Sequence, residues 1–275
     1  MLVVDHWPVL DRPLLVVALA GWVDAGLAGS GAVSALVEQL DPVDGFATFD
    51  LTDWCDLQQT RPIARFEAGG LRVIEFPKLD FVAGNAGRDV VVVRGPEPSL
   101  RWPTLAREIV GVARRLGVTQ AATLGGMPAL VSHRRPVPVL ATATARSLAR
   151  ELGPLRPDYV GPTGAQTVVQ RALGDAGIPT AGFWAQVPQY VSGSPSPPAV
   201  RALLRRLAEY GRLDLAFAGL DARADVYLDR VEEGLAARPD VKEIVDRLDR
   251  EQAAAPDADA LVSEIERFLR SQSDE

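Results

Sequence analysis

Unbroken apolar runs alternate with helical-period segments along the chain. Leu14 to Ala20 is apolar at every position, as in a central strand covered on both faces rather than one half open to water. Gly21 to Asp24 turns the chain, and Ala25–Leu40 is predicted as a helix, with Asp24 placed to cap it by accepting N–H groups that would otherwise be unpaired. Strands are predicted at Phe46–Leu51, Leu71–Phe76 and Asp89–Val93, the last ended by Gly95-Pro96. Trp102–Leu116 is the next helix, with Gly117 as its stop. Strands Val118–Leu124 and Val137–Ala143, helices Thr144–Leu152 and Gly164–Ala176, and a last strand Ile178–Val187 follow. A helix opened by Pro197 or Pro198 runs to Tyr210. This repetition predicts an α/β sandwich on a largely parallel sheet.

From about Asp221 no strand pattern remains. Val241, Ile244, Val245 and Leu248, then Leu261, Ile265, Phe268 and Leu269, fall at helical spacing, with Ala253-Ala254-Ala255-Pro256 between the two sets. The expected organisation is an α/β domain over residues 1–220 and an acidic helical extension over 221–275. The extension reads either as an appendage packed on the main domain or as an arm for partner binding or oligomerisation. Charge follows the same division. Residues 221–275 hold 16 acidic and 8 basic residues, which accounts for the net charge of −7 and leaves residues 1–220 near +1. No basic footprint for nucleic acid exists. At 275 residues and 47% hydrophobic, the chain can build a sizeable core without metal or disulfide. Cys55 is alone, which excludes an intramolecular disulfide and a thiolate zinc cluster. No metal or cofactor is expected. The N-terminus lacks a signal-peptide pattern and no apolar run approaches the roughly 20 residues of a membrane span, so a cytoplasmic protein is expected. The 27 arginines against two lysines fit GC-rich coding.

Candidate chemistry gathers after predicted strands. Gly21-Trp22-Val23-Asp24-Ala25-Gly26-Leu27-Ala28-Gly29-Ser30-Gly31 carries glycines into a helix start, where backbone N–H groups can approach an anion. Its spacing matches neither a dinucleotide nor a Walker motif, and close helix–sheet packing with an Asp24 cap explains the same residues. Glu97, between Pro96 and Pro98 with Trp102 beyond, stands where open α/β sheets bind ligands. It reads as a base or hydroxyl acceptor, or as a polar cap for the next helix. Ser132-His133-Arg134-Arg135-Pro136 joins a histidine to two arginines, a combination suited to carboxylate or phosphate, unless Arg135 braces its loop by pairing with a nearby carboxylate. Tyr159-Val160-Gly161-Pro162-Thr163-Gly164 precedes a helix, and Val187-Pro188-Gln189-Tyr190 ends a strand; capping and turn formation compete with ligand contact at both. The ligand-binding candidates are therefore Trp22, Asp24, Glu97, Trp102, His133, Arg135, Tyr159, Thr163 and Gly164. No catalytic residue is assigned, for there is no GxSxG elbow and neither histidine has a serine-and-carboxylate frame.

Taken in order, Gly21-Trp22-Val23-Asp24-Ala25-Gly26, Arg61-Pro62, Gly95-Pro96-Glu97-Pro98 with Trp102, Leu124-Gly125-Gly126 with Pro128, His133 to Pro136, Tyr159 to Gly164, Val187 to Tyr190 and Pro198 ahead of Ala202-Leu203-Leu204 resemble the PAC2 family of proteasome-assembly-chaperone-like proteins, in an actinobacterial-type member. The resemblance covers roughly residues 10–210. It implies a three-layer α/β/α sandwich, phosphorylase/hydrolase-like as in purine nucleoside phosphorylases, and a homo-oligomer with a trimer favoured. It further implies a non-enzymatic assembly-chaperone-like or scaffold role with a protein partner such as proteasome subunits. The alternative is a small-molecule binder or enzyme for phosphate, nucleoside or carboxylate at the strand ends. Two segments depart from the family pattern. His-Thr-Arg-Pro reads His133-Arg134-Arg135-Pro136, and Val-Pro-His-Tyr reads Val187-Pro188-Gln189-Tyr190. The hydrophobic-Tyr-X tail that some relatives dock into proteasome rings has no match in Gln272-Ser273-Asp274-Glu275.

Overall fold

A computed structural model describes residues 1–152 and 160–254. The elements are β1 (Leu2–Val4), β2 (Leu14–Ala20), α1 (Ala28–Val37), β3 (Val43–Asp50), β4 (Ile63–Phe66), β5 (Arg72–Glu75), β6 (Lys78–Asn85), β7 (Asp89–Pro96), α2 (Trp102–Arg115), β8 (Gln120–Ala129), β9 (Val139–Ala143), α3 (Arg146–Leu152), α4 (Ala165–Asp175), β10 (Thr180–Pro188), α5 (Pro197–Gly211), α6 (Ala218–Ala236) and α7 (Pro239–Ala254). Eight strands form one sheet in the order β1-β3-β6-β7-β2-β8-β10-β9.

The apolar run of β2 is explained by its central place. Leu14, Val16 and Ala18 enter one core with α1 and α5, while Leu15, Val17 and Leu19 enter the other with α2 and α4. With both faces covered, no position along the strand can be polar without losing about 1.5–3 kcal/mol of burial per large side chain. Helices thus lie on both faces, and the fold is the expected α/β sandwich.

The sheet is mixed rather than largely parallel. β7, β2, β8 and β10 run parallel, but β1, β3, β6 and β9 pair antiparallel with their neighbours. On one side of the sheet the difference arises at β6, a strand the apolar pattern did not isolate, and on the other at β9, which pairs antiparallel with β10. β6 returns into β7 through a tight turn in which Gly87 takes φ 76°. Asn85 braces that turn, accepting from Gly87 N at 3.0 Å and donating to Asp89 at 2.7 Å. The strand expected at Leu71–Phe76 forms, but outside the sheet, as β5 paired with β4. Since β3 runs in the same direction as β2, this hairpin leaves the sheet at the end where β2, β7, β8 and β10 finish.

Among the described residues, no helix is long and apolar enough to cross a membrane. Beyond α5, α6 buries Leu220 and Ala224, α7 buries Val245 and Leu248, and Asp221 receives Arg201 at 3.2 Å and Arg205 at 2.9 Å. The second apolar set, Leu261 to Leu269, lies outside the described residues.

Candidate functional site

After β2 the chain crosses toward β3, whereas after its neighbour β8 it continues toward β10 and β9. That reversal is where open α/β sheets form a crevice. Pairing of β2 with β8 stops at Val17 and Thr123, and a side chain bridges the strands beyond that point. Gln166, fully buried on α4, accepts from Leu19 N at 3.0 Å and donates to the Leu124 carbonyl at 2.9 Å. The sequence held a signal for it. Gln166 and Gln170 fall on the stripe that Ala165, Val169 and Leu173 bury, and a polar residue on a buried stripe needs a partner.

The glycine-rich turn after β2 is a packing device. Gly26 (φ 63°) and Leu27 (φ 46°) break the expected helix, so Ala25–Leu27 forms a short 3-10 turn and α1 begins only at Ala28. Asp24 still serves the helix start. Its carboxylate accepts from Gly29 N at 2.8 Å, Ser30 N at 3.1 Å and Ser30 Oγ at 2.6 Å. Burial pushes its pKa up, against those hydrogen bonds. The turn rests on β8 through Gly126 N, which donates to the Val23 carbonyl at 2.8 Å.

Glu97 joins two backbones at the end of β7. One carboxylate oxygen accepts from Ala165 N at 2.6 Å, at the first turn of α4, and the other accepts from Trp22 N at 3.2 Å. An anion at a helix N-terminus is favoured by the peptide dipoles, and Gly164, the capping residue, has no side chain to supply one. The glycines on either side make room. A Cβ at Gly21 would lie 2.7 Å from the Glu97 Cβ, and one at Gly164 would lie 2.5 Å from its carboxylate. Trp22 is exposed above this brace. Trp102 donates its indole N–H to the Pro98 carbonyl at 2.5 Å, Thr163 is exposed and makes no cap bond, and Tyr159 lies outside the described residues.

His133 and Arg135 belong to a second assembly, built with the acidic helices. The Tyr190 hydroxyl accepts from His133 N at 2.9 Å and stands 2.7 Å from Nδ1, while Nε2 lies 3.0 Å from Glu232 of α6. These distances suit a neutral ring, with Tyr190 donating to Nδ1 and Nε2–H donating to Glu232. Burial depresses the histidine pKa, in keeping with that state. Arg134 grips Glu232 with two nitrogens and reaches Asp246 of α7 at 2.7 Å, and Arg135 reaches Asp249 at 2.6 Å. The bracing that competes with ligand binding at Arg135 is thus present, supplied by a helix more than a hundred residues away. Tyr190, Glu232, Asp246 and Asp249 were not among the sequence candidates. Their signal was the acidic excess after residue 221 set against an arginine pair in a chain otherwise near neutral.

The geometry therefore brings Trp22, Glu97 and Gly164 together and places His133 and Arg135 in a separate group, with the Asp24 carboxylate turned toward α1. No three His, Cys, Asp or Glu residues cluster as a metal site among the described residues.

Docking of α6 and α7 should weaken in two stages as pH falls. His133 is held below its ordinary 6.5 by burial, so the undocked state takes up its proton first, and the contribution present above pH 6.5 declines below it. Glu232 and Asp246 are held below the ordinary carboxylate range, chiefly by the Arg134 hydrogen bonds. Their contribution persists above that range and is lost only as pH falls through the lowered values. Thermal unfolding followed across the acid range should show both stages in the wild type. His133→Gln should flatten the first; an unchanged profile would remove His133 from the linkage.

Residues 18–234 match the model of the PAC2 family. A proteasome-assembly chaperone homologue of Mycobacterium tuberculosis is 35% identical, with a TM-score of 0.78 over 84% of this chain and 99% of that one. A PAC2 family protein of Streptomyces avermitilis is 36% identical, with a TM-score of 0.78 over 85% and 99%. At 17% identity, an archaeal proteasome activator of Pyrococcus furiosus shares the fold, with a TM-score of 0.70 over 85% of this chain and 97% of that one. No curated protein matches the sequence.

Proposed function

This chain belongs to the PAC2 family, and from that premise we propose that it is a non-enzymatic assembly chaperone or scaffold. In this reading it works in the cytoplasm as a homo-oligomer, a trimer, with proteasome subunits as the partner class. Residues 1–220 form its α/β body and 221–275 an acidic arm. One observation carries the reading. At the sheet end where a catalytic cleft would lie, Asp24, Glu97 and the His133–Arg135 loop are engaged in holding the fold, while several large apolar side chains stand exposed. Asp24 ties α1, Glu97 ties α4 and the His133–Arg135 loop ties α6 and α7. Trp22 is 61% exposed, Leu130 70%, and on the β4–β5 hairpin Phe66 is 68% and Ile74 53% exposed. A two-stranded hairpin has little stability of its own in water, and exposed apolar groups concentrated in one region mark protein interfaces. The homology of the M. tuberculosis relative to proteasome-assembly chaperones supports the partner class.

The test is the double variant Phe66→Asp/Ile74→Asp. Both side chains are exposed, so the melting temperature should hold within a few degrees. In a tagged pull-down from the native host, the wild type should recover proteasome subunits or another defined complex, and the variant should lose most of that recovery. Its native mass should fall toward the monomer. A wild type that captures nothing and is monomeric, or a variant retaining both mass and partner, would overturn the proposal.

A further inference from the structure

A groove of about 870 Å³ runs along α6, and the function proposed above does not use it. Val191, Pro195, Val226, Val231 and Val241 give it an apolar lining, and Arg223, Arg230 and Arg238 stand along it. Among the described residues no carboxylate lines it. That asymmetry is built into α6, which carries more acid than base. Leu220, Ala224 and Leu235 are buried, and by helical spacing Asp225, Asp229 and Glu232 fall on the flank away from the groove. Glu232 is held there by Arg134 and His133. Arg238 pairs with Asp240 at 2.9 Å. Arg223 and Arg230 are exposed and make no ion pair among the described residues; Arg223 donates only to the Gly219 carbonyl, at 3.3 Å.

The spacing of these two arginines selects the shape of what they meet. They are seven residues apart, two turns, or about 10.5 Å along the helix axis. Val226, 51% exposed, lies between them on the same face. At that separation a single phosphate or carboxylate pairs with one guanidinium at a time and leaves the apolar lining uncovered. A helix laid along α6 meets both, because its own side chains return to one face every seven residues. Its apolar positions i, i+3, i+4 and i+7 fill the trough around Val226 and Val231. Carboxylates one heptad apart beside that stripe reach Arg223 and Arg230, and opposite charge flanking an apolar seam is what sets partner choice between helices.

We propose that this groove docks an amphipathic α-helix of another protein, with its apolar stripe on Val226 and Val231 and carboxylates one heptad apart on Arg223 and Arg230. Docking here is independent of the β4–β5 hairpin, so the loss of one contact leaves the other intact.

The experiment places a photo-crosslinking amino acid at position 226 of the full-length chain in its native host and maps the crosslinked peptides by mass spectrometry. The expected product is a segment of a second protein with that apolar and acidic pattern. A synthetic peptide of the mapped segment should bind purified wild type, more weakly as salt rises. It should lose at least tenfold in affinity for Arg223→Glu/Arg230→Glu, whose exposed substitutions should leave the melting temperature within a few degrees of wild type. The same peptide with its carboxylates replaced by lysine should show the reverse preference and bind the double variant more tightly than the wild type. Val226→Asp should weaken both peptides. Crosslinks confined to residues 255–275 of the same chain or to a second copy would overturn the proposal, as would no crosslink or a mapped segment lacking the pattern. So would an affinity indifferent to the double substitution, or a lysine peptide that gains nothing from it.

Discussion

Gly126→Ala is expected to destabilise the fold by about 1–3 kcal/mol, a fall of several degrees in melting temperature. A Cβ at Gly126 would lie 2.4 Å from the Ala25 carbonyl oxygen and 2.9 Å from the Ala28 side chain, so the clash is with backbone and cannot be relieved by a rotamer change. Nor can the backbone move easily. The turn carrying Ala25 is pinned by the bond from Gly126 N to the Val23 carbonyl and by the Asp24 bonds to Gly29 and Ser30. Gly29 meets β8 as closely, 2.4 Å from the Leu124 carbonyl. Gly111→Ala in α2 is the control. It is exposed, helical and has nothing within 4 Å, so it should gain about 0.5–1 kcal/mol from helix propensity. Urea unfolding of the two variants beside the wild type measures both effects. A neutral Gly126→Ala would show that the turn is free to shift.

Glu97→Ala is expected to cost about 1–3 kcal/mol, because two backbone N–H groups lose a charged acceptor. Most of this cost belongs at Ala165, whose N–H opens α4 and has no other acceptor from Gly164; Trp22 sits in exposed backbone, where water can substitute. Glu97→Gln keeps one acceptor oxygen and should cost clearly less than the alanine variant. A brace thus predicts a graded series in stability, wild type above glutamine above alanine. If Glu97 is retained for a ligand instead, both variants should unfold like the wild type, and the phosphate, nucleoside or carboxylate that binds the wild type should no longer bind either of them.

Much of the layered fold could be read from local pattern. The run Leu14–Ala20 announces a strand buried on both faces, and the periodicity of Trp102–Leu116 announces a helix against it. β6 escaped that reading because Lys78, Asp80, Gly84 and Asn85 interrupt its apolar residues, and its antiparallel return depends on the Asn85–Asp89 turn. Leu71–Phe76 read correctly as a strand, yet nothing local says that it pairs only with β4 and leaves Phe66 and Ile74 in water. Pairing partners are set by which edges meet after the chain has crossed the sheet, and that information is not local.

The candidate residues divide in the same way. Asp24 was legible as an acceptor for a helix start, but the helix it serves begins at Ala28 rather than Ala25, so its partners are Gly29 and Ser30 instead of the residues just after it. His133 and Arg135 stood out by composition, but what they face did not, because Glu232, Asp246 and Asp249 follow about a hundred residues later. The amino-acid pattern alone specified most of the buried strands, the helices that cover them and the acidic character of the C-terminal helices, properties encoded within a few turns or a single strand, and the order of short motifs along residues 10–210 specified the family. Only the tertiary structure decided that Glu97 spans two backbones and that the His133–Arg135 loop holds the acidic helices. It also left Trp22, Leu130, Phe66 and Ile74 exposed. Each of these depends on where distant segments come to rest, and charge and periodicity along the chain constrain that placement without fixing it.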